Sequence, residues 1–117
     1  MNANISALAL NQQNLISPKI NGGTLGFSLG TGSTAILTAN PQVAKLTFSN
    51  PGTQIIYVCQ AIDANGNALT AGQNPGNWPI YPGAVWEFTG NGVAGAWLAA
   101  AAANSGNPFT VAVSQTP

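Results

Sequence analysis

The chain has 117 residues, 45% of them hydrophobic, with only 3% charged and a formal net charge of zero. That length suits one domain with a real core, and the apolar content separates it from disordered chains, which are polar and highly charged. Lys19, Lys45, Asp63 and Glu87 are its only charged residues, and it has neither arginine nor histidine. Two lysines cannot neutralise a nucleic-acid backbone, and nothing titrates near neutral pH to serve general acid–base catalysis.

A surface this poor in charge, rich in Asn, Gln, Thr, Ser and Ala, has little electrostatic repulsion to keep copies apart. It reads as the surface of a protein that lives in an assembly. No apolar run approaches the roughly 20 residues of a membrane helix. The first residues lack the basic start of a signal peptide. Asn4-Ile5-Ser6 matches a glycosylation sequon, which matters only in a chain secreted by a eukaryote.

Residues 1–19 read as an extended N-terminal arm, ending at Ser17-Pro18, where the residue before proline is pushed to extended geometry. The segment is either a free tail or an arm that docks on a neighbour through Ile5, Leu8, Leu10, Leu15 and Ile16. Residues 20–117 then form the folded domain. Residues 24–29 put Leu25, Phe27 and Leu29 on one face of a strand, Gly30-Thr31-Gly32 turns, and residues 33–39 form the next strand.

From Val43 to Ser49, apolar Ala44, Leu46 and Phe48 alternate with Lys45, Thr47 and Ser49, as in a strand with one wet face. Asn50-Pro51-Gly52 supplies turn chemistry, with glycine at φ > 0, and residues 53–62 return as the second strand of a hairpin. In that strand Ile55, Tyr57 and Cys59 share one face and Ile56, Val58 and Ile62 the other. Both faces are apolar, so the strand is central, or is covered on its second side by another layer or another subunit. On the subunit reading, Ile56 and Val58 belong to an interface.

Asn65-Gly66 within residues 63–67 is a hairpin-turn signal for two residues at φ > 0. A short strand over residues 68–70 follows, then a Gly/Pro/Asn-rich loop over residues 71–79. Pro82-Gly83 turns the chain again, after which Trp86 and Phe88 point one way and Val85 and Glu87 the other. Residues 96–103, nearly all alanine, suit either a two-turn helix or a strand of small side chains. Bounding glycines and neighbouring strand signals favour the strand. Residues 108–114 close the sheet with Phe109, Val111 and Val113 inward.

The total is seven or eight short strands, which makes the chain all-β: an antiparallel β-sandwich or jelly-roll-like barrel. Alternation places Leu25, Phe27, Leu46, Phe48, Ile55, Tyr57, Trp86, Phe88, Phe109 and Val111 in the core.

Little chemistry is available. Asp63 and Glu87 sit in a turn and on a strand face, so nothing in the pattern pairs them for glycoside hydrolysis. Cys59 lacks an activating histidine and reads as a small buried hydrophobe. Asp63-x-Asn65-x-Asn67 resembles the opening of a calcium loop but lacks the later glycine and glutamate. The expectation is no catalytic residue, no metal and no cofactor. Of the tryptophans, Trp86 and Trp97 suit a core. Trp78, in a loop near Tyr81, suits an interface, local packing or stacking on a sugar.

The run Ala39-Asn40-Pro41, Leu46-Thr47-Phe48-Ser49-Asn50-Pro51-Gly52 and Ile56-Tyr57-Val58, followed by Pro79-x-x-Pro82-Gly83-x-x-Trp86-Glu87-Phe88, resembles small β-sandwich structural proteins of tailed-bacteriophage virions. The likeness spans about residues 32–114. It departs from the pattern after Asn40-Pro41, where arginines of the family give way to Gln42-Val43-Ala44-Lys45. The resemblance implies a non-enzymatic virion component made in the bacterial cytoplasm, foremost a capsid decoration (cement) protein. Such a protein would form a homo-oligomer, a trimer, on the capsid surface and bridge major capsid subunits, without nucleic acid or membrane as partner. The alternative is a spike, tail-fibre or lectin-like adhesin module that reads host glycans through the Trp78 and Tyr81 loops.

Overall fold

A computed structural model describes residues 23–90 and 92–115. Ile5, Leu8, Leu10, Leu15 and Ile16, the proposed arm contacts, lie outside the described residues. Eight strands follow in order: β1 (Gly23–Leu29), β2 (Thr34–Leu37), β3 (Val43–Ser49), β4 (Ile56–Gln60), β5 (Trp78–Ile80), β6 (Val85–Thr89), β7 (Trp97–Ala101) and β8 (Asn107–Gln115). They form two four-stranded sheets, β1-β8-β3-β6 and β2-β7-β4-β5. Pairing is antiparallel throughout: first strand with last, second with seventh, third with sixth, fourth with fifth. That is a long two-stranded ribbon rolled on itself, and the β3–β8 and β4–β7 pairings close the roll. The domain is an all-β sandwich of jelly-roll topology.

Only β4 and β5 follow one another within a sheet; every other connection crosses between layers. This corrects the hairpin expected over residues 40–62, because β3 and β4 lie in different sheets. Asn50-Pro51-Gly52 is a corner rather than a hairpin turn. Gly52 is absent from the residues at positive φ. Space is tight there instead, since a Cβ would sit 3.1 Å from Cδ of Pro108.

The corner is held by Asn50, only 1% exposed. Its Nδ2 donates to the carbonyls of Gln54 at 2.7 Å and Ile80 at 2.8 Å, and its Oδ1 accepts from the Gly52 N–H at 3.1 Å. Asn107 does the same where β7 passes to β8, donating to the carbonyls of Leu29 and Ala103. Backbone that leaves a ladder inside the molecule needs such partners, because an unpaired buried carbonyl is costly.

The core lies between the sheets. Leu46, Phe48, Phe109 and Val111 are fully buried, as alternation predicts, and Leu25, Phe27, Trp86 and Phe88 pack partly buried against them. Phe48 is a fully buried ring of an aromatic cluster, 5.3 Å from Phe88, 5.3 Å from Trp97 and 5.7 Å from Phe109. On β4 the expected faces are reversed. Ile56 and Val58 are 0% exposed in the core, whereas Ile55 and Tyr57 are only half-buried. Two apolar faces give alternation nothing with which to choose the inner one.

The second face of β4 is covered by the chain itself. Residues 61–77 fold over the outside of the second sheet, where Leu69 and Ala71 close over Cys59, Leu98 and Ala100. Hydrogen bonds pin this third layer: Ala71 N–H to Ser33 Oγ, Leu69 N–H to the Ala61 carbonyl, and Asn77 Nδ2 to the carbonyls of Thr70 and Asn74. The short strand expected at residues 68–70 is a single bridge between Ala68 and Ile62. In the turn before it, Gly66 has φ of 82° but Asn65 is not left-handed. Trp78, expected in a loop, opens the edge strand β5. The alanine run is strand β7, whose small side chains let the covering layer lie close.

Candidate functional site

Of the residues expected at an interface, Ile56 and Val58 have no exposed surface and belong to the core. Trp78 and Tyr81 do reach the surface, 37% and 55% exposed. They do not form one site. Trp78 sits in register with Val58 on the inward face of β5, and its ring packs against Phe88 at 5.2 Å and Trp97 at 5.9 Å. Tyr81 lies beyond the end of β5 and is absent from the pocket that Trp78 lines.

Two surfaces stand out. The first is the outer face of the first sheet. Thr24, Gly26 and Ser28 of β1 continue into Thr110, Ala112 and Ser114 of β8, then Thr47 and Ser49 of β3, with Val85 on β6. Cross-strand neighbours on this face are small: Thr24 and Thr47 both flank Ala112, and Gly26 and Ser49 both flank Thr110. Lys45 and Glu87 supply its charge and neutralise one another across a 3.8 Å ion pair. The sequence showed this alternation on each strand, but not that four such faces lie side by side.

The second surface is a pocket of about 330 Å³ beside the start of β5, lined by Gln60, Asp63, Leu69, Asn77 and Trp78 among others. The strand β4 runs past Trp78, where β5 has not yet begun, and the covering layer walls the gap. Asp63 caps its turn, with Oδ1 accepting the N–H groups of Asn65 and Asn67, both at 2.9 Å. The Asn67 hydrogen bond chiefly holds the Asp63 carboxyl below its ordinary range, so it is ionised at neutral pH. A more apolar groove of about 260 Å³ lies between β1 and β2, lined by Leu25, Ile36, Leu37, Val43 and Val113.

Burial under the covering layer raises the Cys59 thiol above its ordinary value. Buried and protonated, it lacks nucleophilic character. Among the described residues no three of His, Cys, Asp and Glu lie together to hold a metal, and no helix is long and apolar enough to cross a membrane. Compared with models of known protein families, with curated proteins and with solved structures, the chain shows no match.

Proposed function

We propose that the chain is a non-enzymatic structural protein of a bacteriophage virion, a decoration protein that binds the capsid surface as a homo-oligomer, a trimer, and bridges major capsid subunits. The observation that supports this most is the outer face of the first sheet. It is built mostly of small uncharged side chains and carries one self-neutralised ion pair. Depletion of charge is what sets the centres of protein interfaces apart from ordinary surface. Jelly rolls serve in viral capsid domains and in lectins, which is an analogy of fold and not of function.

The face alone is too small. Four strands at about 4.8 Å spacing and roughly 7 residues each cover about 450 Å², against the ~800 Å² per partner of a stable interface. Residues 1–19, with their five aliphatics, are the natural source of the rest.

The test is the mass of the chain in solution, with and without residues 1–19, followed by binding to empty capsid shells. A stable trimer that saturates shells, and a truncated chain that does neither, supports the reading. A monomer that ignores shells ends it.

A further inference from the structure

The pocket beside Trp78 is independent of that reading. We propose that it is a binding subsite for a neutral saccharide, with the Trp78 indole as the stacking platform and Gln60 and Asp63 as the hydrogen-bonding groups.

Trp78 is the most exposed tryptophan, yet its ring is fixed from behind by Phe88 and Trp97. A rigid, half-open indole offers an apolar face at little entropic cost, which suits the C–H face of a sugar ring. Polar groups beside it divide into spent and free. Asn77 is spent: its Nδ2 donates to Thr70 and Asn74, and its Oδ1 accepts from the Gly72 N–H. It builds the wall.

Gln60 differs, since no hydrogen bond within the described residues engages its amide. The amide lies against Gly92, where an added Cβ would collide with Gln60 Nε2, so the side chain borders both this pocket and the neighbouring one lined by Gly92, Gly95 and Ala96. Asp63 is ionised and keeps lone pairs beyond those given to its turn.

One acceptor-only carboxylate and one amide that both donates and accepts match hydroxyl groups, which need both. Anions are disfavoured by the carboxylate, with no cation among the described residues lining the pocket to offset it. A quaternary ammonium would stack on the indole but leave the Gln60 amide unused, and aromatic cages for such cations employ several rings. The volume lies at the low end for ligand sites, room for one or two sugar rings.

The experiment is an NMR titration of the full ¹⁵N-labelled chain with glucose, galactose, mannose, N-acetylglucosamine and their disaccharides. Choline chloride is the control. The expected result is a saturable shift of the Trp78 indole N–H and the Gln60 side-chain amide with one sugar, at a Kd around 1 mM. Gln60→Ala, which breaks no hydrogen bond, should weaken binding about tenfold with the fold intact, and Asp63→Asn should do likewise while keeping the turn's acceptor oxygen. Silence with every sugar overturns the proposal, as does a response to choline alone or affinity unchanged by Gln60→Ala. Shell binding plays no part in this readout, so this subsite and the virion reading fail separately.

Discussion

The two sheets share one core and differ in what lies outside them. Outside the second sheet, residues 61–77 form a third layer, and the strands beneath are apolar on both faces, with Cys59, Leu98 and Ala100 outward. Outside the first sheet no described residues form such a layer, and its strands alternate between core residues and outward side chains that are mostly Thr, Ser, Gly or Ala, with Lys45, Val85, Glu87 and Pro108 among them. In each case the sequence of a strand records how many of its faces are dry. Yet it does not record whose atoms keep the second face dry. β4 has the doubly apolar pattern expected of a subunit contact, and its cover is a loop of its own chain.

Substitutions separate the shared core from the two outer faces. The largest loss should come from Phe48→Ala in the fully buried part of the aromatic cluster, which weakens both sheets together. Emptying so large a buried site costs about 3–5 kcal/mol, read as a fall in the urea midpoint with a single transition. A biphasic curve would mean that the sheets unfold separately. Next is Asn50→Ala at the inter-sheet corner. It strands the Ile80 carbonyl in the interior and leaves the Gln54 carbonyl and the Gly52 N–H short of a partner. With about 1–3 kcal/mol for each buried group left unpaired, a loss of about 3 kcal/mol is expected. A loss under about 1 kcal/mol would show that water replaces the side chain there.

Cys59→Ser probes the covered face alone. A hydroxyl without a partner under the third layer should cost about 1–2 kcal/mol, less than either substitution above. In the native protein the thiol should resist alkylation by iodoacetamide until residues 61–77 open, so that its rate reports the local stability of that layer. The pH dependence follows from the raised thiol. Its folded value lies above the ordinary 9.0, so the native state binds the proton more tightly than the unfolded chain does. That stabilisation is complete below about pH 9 and is lost as pH rises through the folded value. Cys59→Ser should therefore flatten the alkaline fall in stability. An equal alkaline slope in the two proteins would place its origin elsewhere.

Much of this fold is legible in the sequence because the first sheet is simple. β3 begins and ends at Val43 and Ser49, where alternation places it, and the inward sets of β1, β6 and β8 are those read from the pattern. What fails is whatever depends on a distant partner. Asn50-Pro51-Gly52 has the composition of a hairpin turn, but Asn50 is tied to the Ile80 carbonyl, thirty residues on, and to the backbone of Gly83 and Ala84, as befits a corner between sheets. Gly52 is crowded by Pro108, far along the chain. The same holds for the pocket. Trp78 is conspicuous as a residue, but Gln60 beside it carries no local signal, and Tyr81, which does, belongs elsewhere.

The smallest effect on the monomer carries the most weight for function. Thr110→Lys places a charge at the centre of the bare face, between Gly26 and Ser49. A solvent-facing strand position with small neighbours has room for the side chain, and folding stability should change by no more than about 0.5 kcal/mol. If the face is covered in an assembly, the same lysine is buried without a partner. Burying an unpaired charge at an interface costs about 2–5 kcal/mol, which weakens association by roughly 30-fold or more. Urea unfolding of the variant beside the unaltered chain reads the first quantity, and sedimentation reads the second. A variant that folds and associates normally would show that the bare face of the first sheet stays in water, and contact between copies would then have to lie elsewhere on the chain.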